Sequence, residues 1–142
     1  MEETQERSLK RDAVKIEISE TPTPFSELDA EVQLAINCAA EKKAFDIVAL
    51  DLREIASFAE IFVIASGANQ RQVQAIADEI TEQLKKRLRT RPVRIEGYGS
   101  GEWVLVDYGD FIVHIFNKEA REFYDLARLW RDARRVELPA DL

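Results

Sequence analysis

The stretch from Trp103 to Trp130, WVLVDYGDFIVHIFNKEAREFYDLARLW, decides the fold of this chain. Its first half holds two runs of β-branched and aromatic residues on either side of a glycine-containing turn, a pattern that predicts a β-hairpin. Its second half predicts an amphipathic helix from Lys118 to about Arg131. The apolar stripe of that helix would be Phe123, Leu126, Ala127 and Trp130.

The pairing of the hairpin follows if Tyr108 and Gly109 form a two-residue loop. Trp103 then faces His114 across the ladder, and Asp107 faces Asp110. Because side chains alternate between the faces of a strand, one face of the hairpin is entirely apolar and is expected to lie in the core. That face consists of Val104, Val106, Phe111, Val113 and Ile115. The other, mixed face holds Trp103, Leu105, Asp107, Asp110, Ile112, His114 and Phe116.

Two carboxylates directly opposite each other destabilise a strand pair, so Asp107 and Asp110 need a compensating interaction. Two compatible roles are open. The carboxylates can accept local hydrogen bonds that close the turn, as Asx turns do. They can also meet a cationic partner.

The rest of the chain predicts further strands and helices. Ser26, followed three residues later by Asp29, is expected to begin the first helix as a capping box. Asn69 is expected to cap the longest helix, about Gln70 to Arg89. Strands are predicted at Asp46–Asp51, Ile61–Ala65 and Val93–Glu96. Together with the hairpin, these elements predict an α/β single domain with a mixed β-sheet of about five strands covered by helices.

The ends of the chain are expected to lie outside this domain. Residues 1–25 are polar, mixed in charge and closed by a Thr-Pro repeat, and we interpret them as a flexible N-terminal leader. Residues 14–18 within it show a weak strand-like alternation. Residues 26–138 form the folded domain and residues 139–142 a tail. The chain from Ala133 onward is expected to be irregular.

Composition restricts the function. The 142 residues, 46% apolar and 33% charged, are typical of one globular domain. No apolar run is long enough to span a bilayer, and no signal or transit peptide pattern is evident, so a cytoplasmic location without membrane contact is expected. Cys38 is the only cysteine and cannot form an intramolecular disulfide, which fits a reducing compartment. A net charge of −7 disfavours broad contact with nucleic acid and favours a basic protein partner.

One segment, Lys85 to Arg94, departs from this acidity because all its charged residues are cationic. Two interpretations remain open. The cations can simply be solvated where they complement the dipole at the end of a helix. They can also form a small contact with RNA phosphate.

The hairpin resembles the signature of the ribosomal silencing factor family (RsfS, also called Iojap-like). The matching residues are Glu96-Gly97, Trp103 to Asp110, Val113 to Phe116, Arg121 to Tyr124, Leu129-Trp130, Lys42 to Asp51, Phe62 to Gly67 and Arg71 to Asp78. These blocks follow the family order and cover roughly Ser26 to Leu138. The chain departs from the family at Ile55 to Glu60, where Ser-Ser-x-x-Asp is usual.

The resemblance implies a function in translation. A family member docks on the large ribosomal subunit, against ribosomal protein fourteen, on the face that meets the small subunit. There it blocks subunit joining and represses translation when nutrients are scarce. Lys85 to Arg94 would add a minor ribosomal RNA contact, and an exposed hairpin edge could pair two copies into a homodimer. The expected partner-binding residues are Trp103, Asp107, Asp110, Glu96, Tyr108 and His114, which combine an aromatic anchor with carboxylates.

The family's fold is said to resemble the nucleotidyltransferase core, so an enzyme is the alternative. Nucleotidyl transfer needs carboxylates that converge on Mg²⁺. Here Asp46 and Asp51 flank a predicted strand instead of sharing one face of it. The glycine-rich residues 97–101 lead into a strand, whereas phosphate-binding loops open a helix, so we interpret them as a flexible connection. His114 has no nucleophile nearby in the motif. No catalytic residue, cofactor or metal is therefore expected.

Overall fold

The computed structural model describes residues 21–142, so the alternation expected at residues 14–18 lies outside the described residues. The strands in the described part are β1 (Thr23–Pro24), β2 (Phe45–Asp51), β3 (Ile61–Gly67), β4 (Arg94–Glu96), β5 (Trp103–Asp107), β6 (Phe111–Asn117) and β7 (Arg134–Glu137). The helices are α1 (Ala30–Glu41), α2 (Gln70–Leu88), α3 (Lys118–Tyr124) and α4 (Leu126–Leu129), and a 3₁₀ turn at Phe25–Glu27 precedes α1.

These strands form one mixed sheet in the order β1-β7-β2-β3-β6-β5-β4. β3 and β6 run parallel, as do β1 and β7, and the other pairs are antiparallel. The predicted α/β domain with a mixed sheet is confirmed, but the sheet has seven strands instead of five. The additional strands are β1, from the expected leader, and β7, from the tail expected to be irregular. Both are too short to show a periodic pattern, and the buried pair Thr23 and Val136 holds them together.

A buried carboxylate fastens β1 to the sheet. Asp51 Oδ2 accepts hydrogen bonds from Thr23 Oγ1 at 2.7 Å and Arg53 Nη2 at 2.6 Å, and Oδ1 accepts from Arg53 Nε at 2.9 Å. Burial raises the pKa of Asp51, but these hydrogen bonds outweigh that effect and lower it to about 2. The carboxylate therefore stays ionised. Thr23, which the sequence placed in the leader, is thus part of the sheet.

The two long helices, α1 and α2, cover one face of the sheet, which we call the first face. The buried apolar residues between these helices and the sheet form the first core. Val104, Val106, Phe111, Val113 and Ile115, the predicted core face of the hairpin, are all buried there. The Asn69 side chain caps α2 as predicted by accepting from the Gln72 backbone N–H at 2.9 Å. The predicted start of the first helix at Ser26 is wrong. Ser26 lies in the 3₁₀ turn, the buried Leu28 is extended, and Asp29 precedes the first residue of α1.

The second face of the sheet is covered only by the short helices α3 and α4. The buried apolar residues on this face form the second core, which contains Leu50, Phe62, Ile64, Ile112 and Phe116. The single helix predicted from Lys118 to about Arg131 is interrupted, because Asp125 adopts a left-handed conformation with φ of 44°. An Asp tolerates this conformation better than most residues. The break leaves Phe123 82% exposed, so its predicted place in the apolar stripe is wrong, whereas Leu126 is buried.

The hairpin register differs by two residues from the prediction. Trp103 pairs with Phe116 and Leu105 with His114, and the loop residues are Gly109 and Asp110. Gly109 has a φ of 89° and Asp110 does not share this positive φ, as in a type II′ turn. The expected Asp107–Asp110 pair is therefore absent. A shift of two residues leaves every side chain on its predicted face.

The glycine-rich residues 97–101 are held against α2, which corrects their interpretation as a flexible connection. Gln70 Nε2 donates to the Gly99 carbonyl at 2.8 Å, and Gln74 Nε2 donates to the Tyr98 carbonyl at 2.8 Å. The Tyr98 hydroxyl is 2.9 Å from Asp78 Oδ1. These contacts fix the entry into β5 and hence the position of Trp103.

Gly97→Ala should destabilise the domain. Gly97 has a φ of 78°, and a Cβ there would lie 2.0 Å from the Trp103 carbonyl oxygen, so the substitution forces the backbone to move. We expect a loss of at least about 2 kcal/mol in urea unfolding. Gly99→Ala is the matched control, because its Cβ would meet nothing within 4 Å, and we expect a change within about 0.5 kcal/mol. Equal effects of the two substitutions would contradict this account.

His114 should make stability depend on pH. Its side chain is 4% exposed, and burial lowers its pKa from 6.5 to about 4. Between these values the unfolded chain binds a proton that the folded chain does not. Stability should therefore fall by roughly 3 kcal/mol as the pH falls from 6.5 to 4.

Urea unfolding at successive pH values measures this dependence. The contribution of Asp51 to stability is lost only at lower pH, as the pH falls from 3.8 to about 2. The effects of His114 and Asp51 on stability can therefore be measured separately. His114→Leu should flatten the curve between pH 6.5 and 4. An unchanged slope in that variant would exclude His114 as the titrating group.

Candidate partner-binding surface

Trp103 is half-buried at the start of β5, where two other rings hold its indole. The ring centroids of Trp103 and Tyr124 are 4.7 Å apart, and those of Trp103 and Phe116 are 4.9 Å apart. Tyr124, which lies outside the predicted apolar stripe, is itself 49% exposed. Trp103 and Tyr124 thus form an aromatic pair at the surface of the second face, held by the rings behind it.

The indole N–H of Trp103 is already used within the chain. Trp103 Nε1 donates to His114 Nδ1 at 3.1 Å, and the buried His114 Nε2 has no hydrogen-bond partner in the described part of the chain. His114 does not face Trp103 directly across the ladder as predicted, but the two rings lie side by side with centroids 5.9 Å apart. With so little exposed surface and a pKa of about 4, His114 is neutral near pH 7 and is not positioned to touch a partner directly.

Asp107 fulfils both of the roles that the sequence left open, and it does so inside the chain. Its Oδ1 accepts from the Gly109 backbone N–H at 2.8 Å and closes the turn. Its Oδ2 lies 3.2 Å from Arg94 Nε on the adjacent strand β4. The cation that balances Asp107 is therefore Arg94, whose Nη1 is also 3.7 Å from the exposed carboxylate of Glu96.

Asp110 is exposed at the tip of the hairpin and has no side-chain hydrogen bond or ion pair within residues 21–142. Three acidic residues from other segments join it around one shallow depression. They are Glu27, Asp29 and Glu60. Arg53 also lines this depression, but its guanidinium is bound to Asp51. We call these four carboxylates the acidic tip. Sequence patterns miss it because its members are distant in the chain.

Tyr108 packs inward. Its ring stacks on Phe111 with centroids 4.7 Å apart and lies against the first core. Its hydroxyl is buried without a hydrogen-bond partner in the described residues, and burial raises its pKa far above the usual range. Tyr108 is half-buried, and its hydroxyl is not available at the surface.

The cationic residues 85–94 are exposed at the end of α2 and in the connection to β4. Lys86 pairs with Glu82 at 2.6 Å, and Arg94 pairs with Asp107. The side chains without an ion pair in the described part of the chain are Lys85, Arg87, Arg89 and Arg91. Both interpretations of this segment, solvated cations and an RNA contact, remain compatible with these positions.

Two features of the described residues bear on other functions. Within residues 21–142, no group of three or more His, Cys, Asp or Glu side chains is arranged to hold a metal ion. No helix among them is long and apolar enough to cross a membrane. Asp51, one of the carboxylates weighed for metal binding, has both oxygens engaged by Thr23 and Arg53.

Comparisons with known proteins agree on one family. A family model described as "Ribosomal silencing factor during starvation" matches residues 26–142. A protein of Halalkalibacterium halodurans named ribosomal silencing factor RsfS is 44% identical over 110 residues, which cover 75% of this chain and 91% of the relative. A Mus musculus protein named mitochondrial assembly of ribosomal large subunit protein 1 is 28% identical over 113 residues, 77% of this chain and 50% of that protein.

A solved structure supports the same conclusion. The crystal structure of a protein from Chromobacterium violaceum matches with a TM-score of 0.69 at 35% identity, and the match covers 78% of this chain and 88% of that one. The resemblance seen in the sequence is thus confirmed, and the chain belongs to the ribosomal silencing factor (RsfS) family.

Proposed function

We propose that this protein binds the large ribosomal subunit at ribosomal protein fourteen and sterically blocks association with the small subunit, repressing translation in the cytoplasm under nutrient limitation. The observation that carries the proposal is the family match over residues 26–142. The surface around Trp103 and the acidic tip supply a physical basis for docking on a basic protein. The protein acts in this proposal by occupying space, without a catalytic step.

The steric argument rests on size. A compact chain of this length has a radius of gyration of roughly 14–15 Å, so it is about 35–40 Å across. An object of that width on the joining face prevents two subunits from making their contacts. Inhibition then depends only on affinity and occupancy.

The charge of the protein favours a basic protein as its docking partner. The net charge is −7, and the carboxylate of Asp110, which has no ion pair within residues 21–142, stands beside the three other acidic residues of the acidic tip. Such a surface attracts Lys and Arg side chains and accelerates encounter with a basic partner. Moderate salt should weaken the complex without abolishing it, because the aromatic contact is not screened.

An RNA-binding adaptor is the second candidate function. The observation that favours it is the group of exposed cations in residues 85–94 that have no ion pair among the described residues. Binding to protein-free ribosomal RNA, with a steep loss of affinity as salt rises, would distinguish it from the proposed function. The hairpin edge expected to be exposed is covered by β4, so the sheet edge at which a second copy of the chain could pair is that of β4.

Subunit joining tests the proposed function directly. Purified large subunits are incubated with increasing protein, small subunits are added, and light scattering follows the formation of whole ribosomes. We expect joining to fall in proportion to the occupied large subunits. Joining at the normal rate when the protein saturates the large subunits would overturn the proposal.

Trp103→Ala should weaken binding to the large subunit by roughly 2 kcal/mol or more, because buried aromatic anchors carry much of the energy of an interface. Co-sedimentation with purified large subunits measures the affinity, and circular dichroism verifies the fold. Leu129→Ala is the control, because Leu129 is an apolar side chain that is 74% exposed on α4. If Trp103→Ala binds as well as Leu129→Ala, Trp103 is not part of the interface.

Asp110→Lys should weaken the complex and lower the association rate. Asp110 is the better choice for charge reversal, because Asp107 also closes the turn and pairs with Arg94. We expect a loss of about 1 kcal/mol at low salt that shrinks as salt rises. Asp141→Lys, an equal change of charge near the end of the chain, controls for net charge. An equal loss in both variants would show that the acidic tip has no specific role.

A further inference from the structure

We propose that His114 is a positioning residue for the partner-binding surface: its Nδ1 accepts the Trp103 indole N–H and fixes the orientation in which the indole meets a partner. This inference rests on the proposed function for its consequence in binding. It adds a role for a side chain that is itself too buried to touch a partner.

The geometry of the sheet brings the two side chains together. Trp103 pairs with Phe116, so His114, two residues earlier on β6, is its diagonal neighbour on the same face. The distance of 3.1 Å between Trp103 Nε1 and His114 Nδ1 is that of an ordinary hydrogen bond. The contact therefore follows from the register and does not require a mobile loop.

The surroundings of His114 indicate that its polar atom is retained for this bond. The Phe62 ring packs edge-on against the imidazole with centroids 4.6 Å apart, and the Phe116 ring is stacked 6.4 Å from it. Because Nδ1 accepts, the proton of the neutral ring must lie on Nε2. That Nε2 has no hydrogen-bond partner in the described residues, which costs free energy. An apolar residue would avoid this cost but would leave the Trp103 indole N–H without its acceptor.

The bond also determines what a partner can recognise. Since His114 occupies the indole N–H, the partner meets the ring surface of Trp103 and the exposed ring of Tyr124 beside it. Aromatic faces favour aliphatic groups and the cationic side chains of Lys and Arg. A basic protein surface offers both. The indole thus acts through its shape and its π-face, not as a hydrogen-bond donor to the partner.

The test compares two substitutions at the same position. His114→Leu introduces a branched apolar side chain and removes the acceptor, whereas His114→Asn places Oδ1 near the position of Nδ1. Val113→Ala is the structural control, because Val113 is the fully buried neighbour on β6 whose side chain enters the opposite core. The full-length protein is used throughout, and Trp130→Phe serves only to assign the two indole resonances.

Two measurements are made on each variant: hydrogen exchange of the Trp103 indole N–H by NMR, and the Kd for purified large subunits. For His114→Leu we expect at least tenfold faster indole exchange and at least a fivefold higher Kd. His114→Asn should recover most of both losses. Val113→Ala should lower stability and leave the indole exchange and the Kd close to those of the wild type.

Three results would overturn the proposal. They are unchanged indole exchange in His114→Leu, equal losses in Val113→Ala and His114→Leu, and a wild-type imidazole whose ¹⁵N shifts place the proton on Nδ1. The last measurement needs no variant and so remains decisive if a substitution prevents folding. If the wild type fails to bind large subunits, the proposed function fails, whereas the indole exchange still decides whether His114 positions Trp103.

Discussion

Strand β6 is buried on both faces, and this constraint determines most of the remaining structure. Residues 111–116 alternate between a core covered by α1 and α2 and a core covered by α3 and α4. A slip of one residue against β3 or β5 would exchange the contents of the two cores, so the register is strongly specified. The parallel pairing with β3 extends from Ile61 opposite Phe111 to Gly67 opposite Asn117. We infer that burial of both faces, and not the turns at the ends of β6, determines the register of this strand.

The loop of the hairpin shows how turn chemistry and distant contacts together set a register. Tyr108-Gly109 and Gly109-Asp110 produce registers that keep each side chain on the same face, but only Gly109-Asp110 puts glycine at the first loop position, where a type II′ turn needs a positive φ. Contacts from elsewhere agree with this second loop. The Val93 N–H donates to the Asp107 carbonyl at 2.7 Å, and the Glu60 N–H donates to the Asp110 carbonyl at 2.7 Å. The apolar face and the Asn69 cap could be predicted because their signals lie within one element, whereas these contacts join distant segments.

The same distinction applies to the candidate site. The hairpin sequence identified Trp103 as an aromatic group beside acidic residues, and the structure places it at the surface beside Tyr124. The sequence could not show that Asp107 forms an ion pair with Arg94. Nor could it show that Asp110 is the hairpin carboxylate without a partner in the described residues. The short strands β1 and β7 were missed for a related reason. Two and four residues carry no readable alternation, and burial of Thr23 against Asp51 depends on the whole sheet.

A rigid anchor suits a protein whose proposed action is to occupy space. A factor that works by occupancy has no transition state to stabilise, so all of its useful interaction energy must appear as affinity. Side chains that are ordered only on binding spend part of that energy on lost conformational freedom. The Trp103 indole is already held within the chain, because Phe116 and His114 of β6 and Tyr124 of α3 contact it. In this proposal the second core performs two tasks at once: it stabilises β6, and it holds the ring that β5 would present to a partner.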